Sequence, residues 1–347
     1  MSALVHSVLT APAPEVGEAA AAAIARRHFG IEAQVSVLIG ERDRNFRLTT
    51  PAGAAYLLKI VNPAEDPAVT AFQVGALRHL EERDPGLPVP RVVPALDGTM
   101  VPLLVEPGRP TRQLRLMTYL SGGPFAGVRR SAGLRRQLGT GLARLDRALS
   151  DYRPAAALTP LLWDLSHAAQ LRPLIAHIEE AGRRDIAAAV LDRFEGNVLP
   201  RLPGLRRQTI HNDFNPSNIL VDAQGRELAG IIDFGDMVEA ALVNEVAVAA
   251  SYHVEAEAPL LAPLLDFVGA YHAGLPLEDE EVEVLFDLTW TRMLMTVAIS
   301  AWRAALQPEN RDYILRNAGR AWLGLERAKD LAPGEAAGAL RRHLRKA

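Results

Sequence analysis

The chain opens on helical spacing and then changes period. In "PEVGEAAAAAIARRHFG", Pro14 stands near the start, Glu15 and Glu18 lie in the early turns, and Arg26, Arg27 and His28 lie at the end with Gly30 as the stop. Acid first and base last complements a helix dipole, so a helix is predicted here. From residue 34 the apolar positions alternate: Val35, Val37 and Ile39 in "QVSVLIG", Phe46 and Leu48 in "NFRLTT", and "AAYLLKI" closing on Ile60. Period two predicts strands, and the breaks "GERDRN" and "PAGA" carry turn chemistry. Val69, Phe72, Ala76, Leu77 and Leu80 return to i, i+3, i+4 spacing and predict one helix over 68–83, ending before "DPGLPVP". Strand-like "RVVPAL", "TMVPLLV" and "QLRLMTY" complete a small, mostly antiparallel sheet within 31–119.

After "YLSGG" the pattern is helical for almost all of the remainder. Amphipathic helices are predicted in "GLRRQLGTGLARLDRAL" and over 163–177, 184–197, 239–253, 260–272 and 278–306. Only 207–233 interrupts them, with β-like "QTIH", "NILV" and "LAGIID". The pattern predicts an N-terminal helix (1–30), a small α+β lobe (31–119), a glycine-containing hinge at 121–123 and a larger helical lobe (120–347) holding an embedded loop site. No repeat of solenoid period is present.

Composition narrows the class. At 347 residues the chain exceeds the usual limit of one hydrophobic core. A net charge of -3 argues against a nucleic-acid partner, and the absence of cysteine excludes disulfides, thiolate metal sites and a cysteine nucleophile. No run approaches 18 consecutive apolar residues, so no membrane span is expected. The start, "MSALVHSVLTAPAP", lacks the basic and long apolar regions of a secretory signal, and a cytoplasmic location is the simplest expectation.

Candidate chemistry concentrates in the interruption. "HNDFNPSNIL" sets His211 two residues before Asp213 and Asn218 five residues after it, and "IIDFGDM" places Asp233 at the end of an apolar run. Phosphoryl transfer needs a carboxylate at the acceptor hydroxyl and hard oxygen ligands for Mg²⁺, which one Asn and one Asp supply. Two β-like pieces joined by a turn can bring Asp213, Asn218 and Asp233 to one end of a hairpin. A lone "HxD" is usually a turn, and Asn218 alone could be a cap. H-x-D-x4-N followed by an apolar triplet and "IIDFG" is far more specific than either.

This signature, over 211–235, resembles the aminoglycoside phosphotransferase and choline-kinase superfamily, relatives of the protein kinases, and the lobe order extends the likeness across nearly the whole chain. Protein kinases carry H-R-D in this loop; Asn212 replaces the arginine that serves phosphorylated activation loops, which points to a metabolite kinase. No P-loop motif is present. The resemblance implies an α+β, bilobal protein-kinase-like fold, with a small antiparallel-sheet lobe carrying one main helix and a larger, mostly helical lobe. It implies Asp213 as catalytic base or acceptor-positioning carboxylate, Asn218 and Asp233 as Mg²⁺ ligands, ATP or GTP as co-substrate, and His211 as a structural histidine, with Glu245 supporting the loop.

The same resemblance calls for a strand lysine that clamps phosphates. Lys59 in "YLLKI" fits, being costly in an apolar strand without a partner. Its usual glutamate partner is missing: the helix offers Gln73, and either Gln73 bonds Lys59 or a more distant carboxylate replaces it. "GERDRNFRL" would cover the phosphates through backbone groups of residues 42–45, with Arg44 or Arg42 adding charge beside Asn45. Backbone groups of 117–120, including Met117 and Tyr119, would meet the base.

"ERDRNFRL", the glutamine in the helix, "WDL" at 163–165 and "IDFGDM" together resemble hydroxylysine kinases and the phosphotransferase modules fused to class-III aminotransferases. That branch implies an amino-alcohol acceptor, with GTP used by the hydroxylysine enzymes; aminoglycoside, homoserine, choline or fructosamine acceptors are the alternatives. Candidate acceptor contacts are Asp236, Glu239, Trp163 and Asp164, then Trp290 and Tyr252. Asp236 could equally cap a helix starting near Val238. A nucleotide-binding pseudokinase is the alternative of another class, motivated by the missing glutamate and sparse glycines.

Overall fold

The computed structural model describes residues 13–40, 42–153, 161–332 and 334–345; the first part of the 1–30 expectation and Glu41 of the phosphate-loop expectation lie outside them. The chain divides into two compact units. One takes in the described residues up to Gly122 together with Ala229–Gly235, and the other Gly123–Arg153, Leu161–Leu228 and the described residues from Asp236 onward.

The first unit is built on a five-stranded antiparallel sheet in the order β1-β2-β3-β5-β4, from β1 (Gln34–Leu38), β2 (Arg44–Thr49), β3 (Ala55–Ile60), β4 (Leu103–Leu104) and β5 (Arg112–Thr118). Period two sorts its faces. Phe46, Leu58 and Leu116 lie in register and are fully buried in a core shared with Val16, Ala21, Ile24, Ala25 and Phe29 of helix α1 (Glu18–Phe29) and its lead-in. Each such side chain contributes about 1.5–3 kcal/mol by leaving water. Gly30 ends α1 at φ 67, accepting a left-handed turn that a β-carbon would strain. Helix α2 (Pro67–Arg83) begins on Asp66, whose carboxylate accepts from Ala68 N–H at 2.8 Å with Pro67 in the first turn. Of the other two strands expected here, "RVVPAL" forms a single bridge, Val92 to Met117, and "TMVPLLV" pairs only at β4. Pro94 and Pro102 withhold the donors a longer ladder needs.

The second unit is mainly helical. Helices α3 (Ala132–Leu149), α4 (Ala181–Arg193), α5 (Leu242–Ala250), α6 (Ala262–Gly274), α7 (Asp279–Leu306), α8 (Arg311–Ile314), α9 (Ala318–Ala328) and α10 (Glu335–Leu344) are joined by short strands β6 (Gly123–Pro124), β7 (Arg207–Ile210), β8 (Ile219–Val221) and β10 (Val238–Ala241); β9 (Leu228–Ile231) leads into the first unit. α7 starts on a capping box between Glu278 and Glu281 and runs through the unit against α4, α5, α9 and α10. By length and composition α7 is the one described helix that could cross a membrane, but nearly all of its apolar window is buried inside the fold.

Two expectations need correction. The predicted helix over 163–177 is a run of tight three-residue turns, Leu165–His177, with Pro173 withholding a donor in its middle. The predicted helix over 239–253 starts only at Leu242: residues 238–241 pair with β7, burying Val238 and Ala240 and exposing Glu239. Asp236 therefore caps no helix; it closes a short turn, Phe234–Asp236.

Candidate active site

In the first unit, sheet register assembles a polar row. Asn45 lies opposite Lys59, and Lys59 opposite Arg115, so all three side chains leave the same face of the sheet. Lys59 Nζ lies 3.3 Å from Asp43 Oδ2 with both side chains largely buried. The other Asp43 oxygen accepts from Asn62 N–H at 2.9 Å, and Asn62 Nδ2 donates to the Arg42 carbonyl at 3.1 Å. The "GERDRN" turn is thus pinned to the end of β3, and Asp43 is the carboxylate standing where a helix glutamate was missing. Gly40 is needed there by close approach: a β-carbon would lie 2.5 Å from Asn45 Nδ2 and 2.7 Å from the Asp43 carbonyl.

Gln73 does not bond Lys59. Its Oε1 accepts from Arg115 Nη1, while its Nε2 donates to the Gly235 carbonyl at 3.0 Å. Arg115 is 4% exposed and feels the charges of Asp43, Asp233 and Glu65. One neutral side chain on α2 therefore joins a buried arginine to the loop after Asp233. The main chain at Asp233 is left-handed, φ 61, and Gly235 fits tightly against it, its β-carbon position lying 3.0 Å from Asp233 Oδ1. Ile231 N–H donates to the Pro88 carbonyl at 2.8 Å, holding the approach to this loop.

The remaining nucleotide candidates sit apart from this row. Arg44 donates to the Val16 carbonyl at 3.1 Å and lies over the Phe46 ring. Met117 is a buried member of β5 opposite Leu57, and Tyr119, more exposed, carries the Arg47 guanidinium 4.7 Å from its ring centre.

In the second unit, the loop after β7 is held from below. His211 is fully buried, and its Nδ1 accepts from Asp213 N–H at 3.2 Å. Asn212 is the other left-handed residue, φ 64; its N–H donates to Glu245 Oε2 at 2.8 Å and its Nδ2 to the Asp236 carbonyl at 3.1 Å. Asn212 and Asp233 are the only non-glycine residues of positive φ among those described. Each costs on the order of 1–3 kcal/mol, and such strain clusters where geometry serves chemistry.

Asp213 Oδ2 accepts from Asn218 Nδ2 at 2.7 Å and from Asn215 Nδ2 at 2.9 Å, while Oδ1 lies 3.3 Å from Arg292 Nη2. The Asn218 amide also donates to the Asp213 carbonyl at 3.0 Å, which turns its oxygen away from Asp213. That oxygen and the Asp233 carboxylate are the hard donor types Mg²⁺ requires. Among the described residues there is no cluster of three or more His, Cys, Asp or Glu suited to a metal.

Glu245 is fully buried on α5, where burial pushes its carboxyl up while the neighbouring His211 and loop N–H groups pull it back. Behind it, Asp146 is held well above the usual carboxylate range by burial and by Glu245, although Tyr271 donates to it at 2.7 Å.

The acceptor candidates are scattered. The Trp163 ring carries the Arg292 guanidinium, 5.0 Å from its centre, and Asp164 is spent accepting from Ser166 N–H at 2.8 Å. Trp290 stacks on Phe286 within the core, and Glu239 points outward from β10. Tyr252 hydrogen-bonds Arg292.

Asp43, Arg115, Asn215 and Arg292 were missed from the sequence. Arg292 had a readable signal, as the one charge between Asp287 and Arg303 in an otherwise apolar helix.

The model described as phosphotransferase enzyme family (APH) matches residues 35–281. Hydroxylysine kinase of Mus musculus is 29% identical over 343 residues, covering 92% of this chain and 90% of the mouse protein. Hydroxylysine kinase of Danio rerio is 27% identical, covering 93% and 94%. A solved microcompartment-associated aminopropanol kinase superposes with a TM-score of 0.68 at 19% identity, covering 88% of this chain and 95% of its own. That likeness shows a shared kinase-like α+β fold.

Proposed function

Since the chain belongs to the phosphotransferase enzyme (APH) family and is a small-molecule phosphotransferase, we propose that it moves the γ-phosphoryl of ATP or GTP to a hydroxyl of an amine-bearing metabolite, hydroxylysine or a similar amino alcohol. The observation that carries this reading is Asp213, held by Asn215, Asn218 and Arg292 on a loop braced by Glu245.

Asp213 orients the acceptor hydroxyl and receives its proton as the acceptor oxygen bonds to the γ-phosphorus; the bond from phosphorus to the bridging β,γ-oxygen breaks, and the nucleoside diphosphate leaves. Arg292 and the two amides hold the carboxylate toward one direction, so little reorganisation is left for the reaction. Lys59, set by Asp43, and Arg115, set by Gln73, supply positive charge for phosphate oxygens. The Asn218 amide oxygen and the Asp233 carboxylate would hold Mg²⁺, which when bound neutralises charge on the transferring phosphate.

The test is a phosphoryl-acceptor screen with both nucleotides against 5-hydroxylysine, ethanolamine, homoserine and kanamycin. Asp213→Ala should lower kcat by about 10²–10⁴-fold with nucleotide affinity nearly intact. Asp233→Ala should also lose Mg²⁺-dependent nucleotide binding. Equal losses of binding in both variants would show that these roles are wrongly divided.

A further inference from the structure

The second unit contains a cavity of about 130 Å³ whose wall includes Arg130, Arg316 and Arg320 together with Pro216, Tyr252 and Asn317, and no acidic side chain. Two of the arginines are set in place by neutral groups. Arg130 lies over the Phe125 ring at 4.9 Å and donates to the Tyr252 carbonyl; Arg316 lies over Tyr313 at 3.9 Å and donates to its carbonyl at 2.9 Å. Arg320 makes no hydrogen bond or ion pair among the described residues. Glu255, the carboxylate that most offsets Arg320, is already paired with Arg135 at 2.7 Å, and Arg135 also engages Asp266. Burial and the neighbouring Arg320 charge push Arg130 down to about 10, and buried His253 is held well below its usual range by burial and then by Arg130, Arg135 and Arg320. Arg316 and Arg320 are exposed and Arg130 half-buried, so the hollow opens to solvent and offers guanidinium groups, with no carboxylate in its wall, to an anion entering from outside.

The hollow adjoins the acceptor loop. Pro216 lies in the chain between Asp213 and Asn218, and Tyr252 bonds Arg292, which touches Asp213. We propose that Arg130, Arg316 and Arg320 form a carboxylate-recognition pocket, so that the acceptor is a hydroxy amino acid rather than an amino alcohol without an acid group. This rests on the small-molecule kinase reading above. The volume accommodates roughly four water-sized groups, enough for a carboxylate and its neighbouring carbon. A polycationic aminoglycoside meets the wrong sign of charge here.

Two pairs of compounds isolate the acid group: homoserine against 3-aminopropan-1-ol, and 5-hydroxylysine against 1,5-diaminopentan-2-ol, each pair differing only by the carboxylate. Calorimetric titration of the full chain should show the acid of at least one pair binding about tenfold or more tighter than its partner. Arg320→Met should remove most of that preference, Arg320→Lys should restore part of it, and unchanged melting temperatures would show that both variants fold. The proposal is overturned if the wild type binds neither acid, shows no acid preference, or loses both members of a pair equally in Arg320→Met. Inorganic phosphate binding that depends on Arg320 without any acid preference also overturns it. Transfer to the decarboxylated compounds as good as to the acids would sink the pocket and leave the kinase standing. Acid preference that Arg320→Met removes, in a protein that phosphorylates nothing, would do the reverse.

Discussion

Arg292 shows what one side chain is asked to do in this molecule. It is 3% exposed in the middle of α7, stacked on Trp163, bonded to the Trp163 carbonyl at 3.1 Å and reaching Asp213 at 3.3 Å. Removing one partner of a buried ion pair costs more than the pair itself contributes, because the other charge stays behind. Arg292→Met should therefore lower kcat by about tenfold or more while leaving nucleotide affinity close to wild type, measured by steady-state kinetics beside nucleotide titration. Asn212 makes a complementary case at the main chain. Asn212→Ala should cost about 1–3 kcal/mol, from the left-handed backbone and the lost bond to Asp236, read as a lower melting temperature. At this scale the sequence was legible where spacing carried the information. Asp213, Asn218 and Asp233 lie within one short signature, whereas Asp43, Arg115 and Arg292 meet their partners through register or long-range packing. Nothing in "GERDRN" alone tells which of its four charges will face Lys59.

Among elements, α2 and the sheet show how a departure from pattern is absorbed. Strands β2, β3 and β5 follow from alternation, and their register then puts Asn45, Lys59 and Arg115 side by side. The glutamine on α2 left two options open, and the sheet resolves them: Lys59 takes Asp43, and Gln73 takes Arg115 and the Gly235 carbonyl. Gln73→Ala would strip Arg115 of its acceptor and release the loop of Asp233. Mg²⁺-dependent nucleotide affinity should fall by roughly tenfold, the loss of one charge-assisted bond and one neutral one, measured by titration with and without metal. Strand β10 was hidden for a different reason. "VEAA" is too short and too rich in alanine to show period two against the helix that follows, and only pairing with β7 fixes it as a strand.

For the whole molecule, the buried acids beneath the Asp213 loop make stability depend on pH. Asp146 is raised well above its ordinary 3.8 by burial and by Glu245, so the fold favours its protonated form. That stability is fully present below about pH 3.8 and is lost as pH rises through the folded value. Asp146→Asn keeps an acceptor for Tyr271 and removes the titration. Its melting temperature should decline less than that of the wild type across the interval above pH 4, and an unchanged slope would place the titrating group elsewhere.

The bridge through Gln73 differs in kind from an ion pair. A Lys–Glu contact between a helix and a strand weakens as salt screens its charges and vanishes when acid neutralises the carboxylate. An amide has no charge to screen and no proton to gain, so the link from α2 to the Gly235 carbonyl holds its geometry across brine and mild acid alike. A cell whose ionic strength swings would find this joint indifferent to the change.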